Sequence, residues 1–272
     1  MKKIRAPQVA GYFYPADPNI LHNKIQKMLS EAKLLKSYDN IIGIVSPHAG
    51  YMYSGKTAAY AYNAIKGKNY KTAIVISPSH SEYFPGISVY DGEAYQTPLG
   101  IVEINEEKAQ KLVESSKLIF RGIQGHRREH ALEVQIPFLQ TVLDDFQIVP
   151  IVMGDQSKVF VNELANKLAE VMDDETIVVA SSDLSHFYNA SEANLLDSLV
   201  ERRINEFDYE KLQQDLDAHR CEACGGGPIV AMMKAAALKN YHKAEVLKRT
   251  DSGDVTGDKS EVVGYLSAVV FN

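Results

Sequence analysis

A chain of 272 residues, 45% hydrophobic and 24% charged, is long enough to bury an ample core as one large α/β domain over 1–272. A net charge of −6, with no basic cluster longer than Arg127-Arg128 outside Lys2-Lys3, argues against a nucleic-acid surface. No apolar run approaches the roughly 18 residues of a membrane span, the start MKKIRAPQVAGYFYP lacks a signal-peptide core, and two cysteines are too few for a disulfide scaffold, so a cytoplasmic protein is expected.

In chain order, the apolar patterns predict a helix over 18–34, a strand over 41–46, a helix over 55–66 and a strand over 72–77. The segment 84–100 is punctuated by Pro85, Gly86, Gly92, Pro98 and Gly100. It holds a strand at 87–91 and reads as a small antiparallel hairpin or an edge. Helices follow at 105–116 and 130–143, a strand at 147–152, a helix at 158–172 and a strand at 176–181. The chain closes with helices at 191–204, 208–216 and 227–239 and strands at 244–249 and 262–270. The runs IIGIVS, TAIVIS and TIVVAS are apolar on both faces, as central strands covered on two sides are. The expected fold class is α/β, a mostly parallel central sheet with helices on both faces.

Three of these strands end alike. Each stops at a polar turn, Ser46-Pro47, Ser77-Pro78 or Ser181-Ser182, and a histidine follows: His48, His80 and His186. Parallel strands bring their carboxyl ends to one edge, where open α/β sheets bind ligands. His48 and His80 are 32 residues apart, about one βαβ unit, and are expected on neighbouring strand ends, with Asp183 and His186 at the same edge. Converging imidazoles suit a metal, and the best third ligand is Cys224. It precedes Gly225-Gly226-Gly227 and a helix opening near Pro228, where the helix terminus is expected to lower the thiol's pKa. A redox pair of Cys221 with Cys224, or a zinc knuckle, is the weaker reading. In 129-EHALEVQIPFLQ-140, His130 and Glu133 are three apart and are expected on one helix face, either aimed at the site or as a surface charge pair. Tyr51, Tyr53 and Tyr95 are weighed as pocket lining against plain packing. His22, His126, His219 and His242 read as surface or packing residues. The turn-rich 251-DSGDVTGDKSEVVGYLS-267 is either a flap over the pocket or a simple connection.

The blocks 8-QVAGYFYPAD-17, 44-IVSPHAGYMYSG-55, 76-ISPSH-80, 95-YQTPLG-100, 130-HALEVQIPFLQ-140, 181-SSDLSHF-187 and 224-CGGGP-228, with the 251–267 block, resemble the Memo family, called AmmeMemoRadiSam system protein B in microbes. The resemblance runs nearly end to end. It implies a fold similar to class III extradiol dioxygenases, which hold Fe(II) with two histidines and a glutamate. It places the two histidines at His48 and His80 and puts Cys224 where the glutamate stands. It also suggests His186 as the acid/base histidine and His130 as a pocket histidine, with Asp183 beside His186. A thiolate in place of a carboxylate shifts preference toward softer ions, so Fe(II), Cu and Zn are all weighed.

The leading expectation is therefore a mononuclear metal-dependent oxidoreductase acting on a small molecule. His48, His80 and Cys224 would bind the ion, His186 would move a proton, and Asp183, His130 and Glu133 would assist. The alternatives are a binding or adaptor module that keeps a metal pocket and works with AMMECR-type and radical SAM partner proteins, a zinc-type hydrolase, and, ranked lower, a cysteine-nucleophile hydrolase using Cys224 with His186.

Overall fold

The computed structural model describes residues 3–272; Met1 and Lys2, part of the amino-terminal stretch read above, lie outside the described residues. In chain order the elements are β1 (Ile4–Arg5), α1 (Pro18–Glu31), β2 (Gly43–Ser46), α2 (Gly55–Ile65), β3 (Thr72–Pro78), β4 (Ile87–Tyr90), β5 (Ala94–Thr97), β6 (Gly100–Glu103), α3 (Glu106–Val113) and β7 (Ile119–Gly122). A 3-10 turn (Glu133–Gln135) then leads into α4 (Ile136–Val142), β8 (Gln147–Met153), α5 (Lys158–Val171), β9 (Thr176–Ser181), β10 (His186–Tyr188), α6 (Ala190–Asn205), α7 (Tyr209–Asp217), α8 (Gly226–Leu238), β11 (Lys243–Asp251), α9 (Gly253–Thr256) and β12 (Val262–Phe271).

The main sheet runs β10-β12-β2-β9-β3-β8-β4-β7, with β11 also on β12. Its centre, β2-β9-β3-β8, is parallel. Every residue of β2, β3 and β9 is buried, so their lack of in/out alternation follows from cover on both faces. One helical layer joins α1, α2 and α4, and the other joins α3, α5, α7 and α8. The second layer approaches closely: a Cβ at Gly43 of β2 would run into Met232 of α8. The fold class is thus α/β with a large sheet between helices.

Several details differ from expectation. The flanks of the sheet are antiparallel: β12 against β2, and β4 against β8. The irregular 84–100 segment yields β4 and the first strand of a true hairpin, β5 with β6, which joins β1 in a separate three-stranded sheet. No continuous helix spans 130–143: the chain is non-helical through Leu132, and α4 begins only at Ile136, with Pro137 in its first turn. The 251–261 stretch takes the second of its two readings in this structure. It is the connection between two paired strands, where Ser252 N–H donates to Val263 O and Lys259 Nζ reaches Asp251 and Asp254. Among the described residues no helix is long and apolar enough to cross a membrane.

Candidate metal centre

The ends of β2 and β3 deliver His48 and His80 to the carboxyl edge of the sheet, but not from adjacent strands, because β9 lies between them. The rings still converge, with centroids 5.1 Å apart at 78°. The loop before α8 brings Cys224 to the same point, its Sγ 3.1 Å from His48 Nε2. That approach depends on Gly225, where any Cβ would collide with the carbonyl of Ser181 at the end of β9.

One donor atom from each of His48, His80 and Cys224 can be chosen so that all lie within 4.8 Å of one another. A four-coordinate ion with bonds of about 2.0–2.3 Å needs its donors about 3–4 Å apart, so the cluster fits after small rotations. The remaining ring nitrogens are held from behind. His48 Nδ1 lies 2.9 Å from Ser181 Oγ, and His80 Nδ1 lies 2.9 Å from Glu129 Oε1. Fixing one nitrogen selects the tautomer that leaves the other free to ligate. Glu129 also accepts the His80 backbone N–H at 2.6 Å and that of Ala131 at 2.9 Å. Ser181 is itself held, donating to Ala131 O and accepting from Gln135 Nε2, while Tyr62 O–H donates to Gln135 Oε1.

Asp183, leaving β9, organises the other side. Its Oδ1 accepts the His48 N–H at 2.7 Å, and its own N–H donates to Cys224 Sγ at 3.2 Å. Burial lifts its carboxyl to about 7, against two backbone N–H groups that favour the charged form. Burial also holds His48 far below the usual imidazole range, so the ring is neutral, as a ligand must be. The thiol of Cys224 departs from expectation. It lies two residues ahead of α8, and burial, with the Asp183 carboxyl beside it, pushes its pKa well up despite the nearby helix terminus. Desolvation outweighs a partial charge of about half a unit, and only a bound cation would reverse it.

His130 belongs to the cluster, with ring centroids 4.8 Å from His80 and 5.6 Å from His48, and it rests on Phe13 at 4.8 Å. His186 stands at the rim. Its Nδ1 is 2.8 Å from Leu184 O, so Nδ1 carries the proton, and burial lowers its pKa. Glu133 does not share a face with His130. Fully buried, it accepts from Arg5 Nη1, the N–H groups of Gln8 and Val9, and Tyr14 O–H, all on the amino-terminal segment. Its lone pairs are committed there, so it is a clasp outside the pocket. Tyr51 and Tyr95 are core residues bonded to Val134 O and to His126, while Tyr53 stays half-exposed. His126 is buried packing, as expected, and both cysteines are free thiols. Glu129, Ser181 and Gln135 escaped the sequence reading. The one hint was the carboxylate directly before His130.

A family described as Memo-like protein matches residues 5–269. A MEMO1 family protein of Nitrosopumilus maritimus is 38% identical over 96% of this chain and 98% of its own length. Another, of Thermoplasma volcanium, is 38% identical over 98% of both chains. A solved structure of an uncharacterized Escherichia coli K12 protein overlaps 74% of this chain and 86% of its own at 17% identity with a TM-score of 0.47, so the kinship rests on the sequence relatives. With the match spanning all the residues of the cluster, this chain belongs to the Memo family.

Proposed function

We propose that this chain is a mononuclear metal-dependent oxidoreductase in which His48, His80 and Cys224 hold the ion. The observation that supports this reading is the convergence of two imidazoles and a thiol, each ring locked through its far nitrogen by Ser181 or Glu129. Bound iron or copper would supply an open coordination position and redox chemistry.

The chain's own groups handle protons and exclude water. His186 is neutral with Nδ1 engaged by a carbonyl, so its Nε2 is free to accept a proton. His130 adds a second neutral ring, kept so by burial and seated on Phe13. His48 is 2% exposed, which keeps water from the back of the pocket. The test is anaerobic loading with Fe(II), then oxygen uptake with catechols and other small phenols. His48→Ala, His80→Ala and Cys224→Ala should each lose most of the metal, whereas His186→Ala should keep the metal and lose turnover. Equal metal content in all four variants refutes the ligand assignment.

The thiol donor favours a second reading, a zinc hydrolase, because zinc takes mixed nitrogen and sulfur ligands with one position open. Elemental analysis of untagged protein separates zinc from iron and copper. Action beside AMMECR-type and radical SAM proteins is a further proposal drawn from the family resemblance. Co-purification with such partners that survives His48→Ala would mark a binding role independent of the metal.

A further inference from the structure

The loop from Cys224 to Gly227 carries the proposed sulfur ligand and opens α8, yet its own residues anchor it poorly. The helix has a glycine, Gly225, at its cap position and gains no side-chain bond there. The Cys224 carbonyl is worse placed. A helix would give it the N–H four residues on, but that residue is Pro228, which has none.

The missing bonds come from two other places. From the end of β9, Asp183 O accepts the Cys224 N–H at 3.2 Å, and Ser182 Oγ accepts the Gly225 N–H at 2.9 Å. From the loop between β8 and α5, Gln156 spends both ends of its amide: Nε2 donates to Cys224 O at 2.8 Å, and Oε1 accepts the Gly227 N–H at 2.8 Å. The reverse amide orientation would set oxygen against the carbonyl and nitrogen against the N–H. The approach is close, since a Cβ at Gly227 would run into Gln156 Cβ. Gln156 is placed in turn by Asp155, which accepts the Ser157 N–H at 2.8 Å and the Tyr83 O–H at 3.1 Å. Ser182 and Asp183 are buried, whereas Gln156 stands with Cys224 in the wall of a cleft of about 620 Å³. Gln156 therefore brackets the loop on its open side.

Resting on the metal-centre reading above, we infer that Gln156 is a positioning residue for Cys224: its amide holds the loop shut and so sets where Sγ stands against His48 Nε2. Without that amide, three consecutive glycines let the loop relax and the sulfur leave the cluster.

The first test uses metal-free protein carrying Cys221→Ser, in which Cys224 is the remaining thiol, and follows labelling by iodoacetamide. Gln156→Met, which keeps the length of the side chain and loses both bonds, should label about fivefold faster or more, and Gln156→Ala should do the same. Lys108→Ala removes bonds to Val171 O and Asp173 at the opposite edge of the sheet; it controls for general loosening and should label at the unaltered rate. On cobalt-loaded protein, both Gln156 variants should bind Co(II) about tenfold more weakly and shift the thiolate-to-cobalt absorption. Glu129→Gln, acting through His80, should weaken binding and leave that absorption in place. Labelling unchanged in both Gln156 variants, a rise matched by Lys108→Ala, or a cobalt spectrum that neither Gln156 variant alters overturns the inference. A starting protein without the thiolate absorption counts against the metal centre, and the labelling rates then decide the role of Gln156 on their own.

Discussion

Replacing Glu133 with Gln separates a structural clasp from a catalytic carboxylate. Glu133 is 0% exposed and Arg5 7%, and their ion pair is 2.7 Å long. Glu133 Oε1 accepts from Val9 N–H and Tyr14 O–H, while Oε2 accepts from Arg5 Nη1, and Gln8 N–H lies between them. Whichever oxygen becomes an amide nitrogen therefore meets a donor. Arg5 keeps carbonyl partners at His126 and Glu129, but its charge is left buried without a counterion. Breaking a buried pair from one side costs about 3–5 kcal/mol. At about 2–4 °C per kcal/mol for a chain of this size, Glu133→Gln should lower the melting temperature by about 6–20 °C. Metal affinity should weaken as well, because Arg5 Nη2 holds the carbonyl of Glu129, whose carboxylate fixes His80. Calorimetric melting checks the first effect, and competition with a chromophoric chelator checks the second. A drop of under about 2 °C together with lost turnover would refute the clasp and restore Glu133 to the chemistry.

Glu129→Gln keeps the shape of the residue but weakens its hold on His80 Nδ1, and should lower metal affinity about 10–100-fold, as read by chelator competition. An unchanged affinity would remove Glu129 from the site. Asp197 is buried on α6 and its carboxyl is lifted by burial to about 6. The folded chain then binds this proton more tightly than the unfolded chain, so stability falls as pH rises from about 4 to about 6, by at most about 3 kcal/mol. Asp197→Asn, whose oxygen can still accept the Ser185 N–H, should stabilise the protein at pH 8 and change little at pH 4; equal effects at both pH values would show that the charge is not what matters.

The strand ends were legible because their signals are local. An apolar run halted by Ser-Pro or Ser-Ser announces the carboxyl end of a buried strand, and a polar residue just beyond it must face the edge. What failed depends on distant partners. The apolar spacing of 130–143 reads as helix throughout, yet Glu129 turns back to cap Ala131 and His80, and the helix waits for Ile136. Pro137 marks that start, since proline sits comfortably only in a first helical turn. Glu133 finds Arg5 across 128 residues and His80 finds Glu129 across 49, and no spacing rule reaches that far. The thiol departs from expectation for a related reason: helix termini are visible in sequence, whereas the depth at which a sulfur is buried is not.

The strand order carries a consequence that adjacency of β2 and β3 would not have. With β9 between them, the strand that brings none of the proposed ligands lies between the two that bring His48 and His80. Its last residues supply the Ser181 hydroxyl to His48 Nδ1, the Asp183 carboxylate to His48 N–H and the Asp183 amide to Cys224 Sγ. Two of the three proposed ligands are thereby set by one rigid strand end, and His80 is set separately by Glu129 on the loop that Arg5 and Glu133 pin down. The geometry of the centre is thus fixed by buried polar groups on the sheet and its clasp, so damage at Arg5 or Glu133 should reach the metal through His80 and spare the His48–Cys224 side. A donor set prepared in this way costs little reorganisation when an ion binds, and that preparation is what a binding site of high affinity requires.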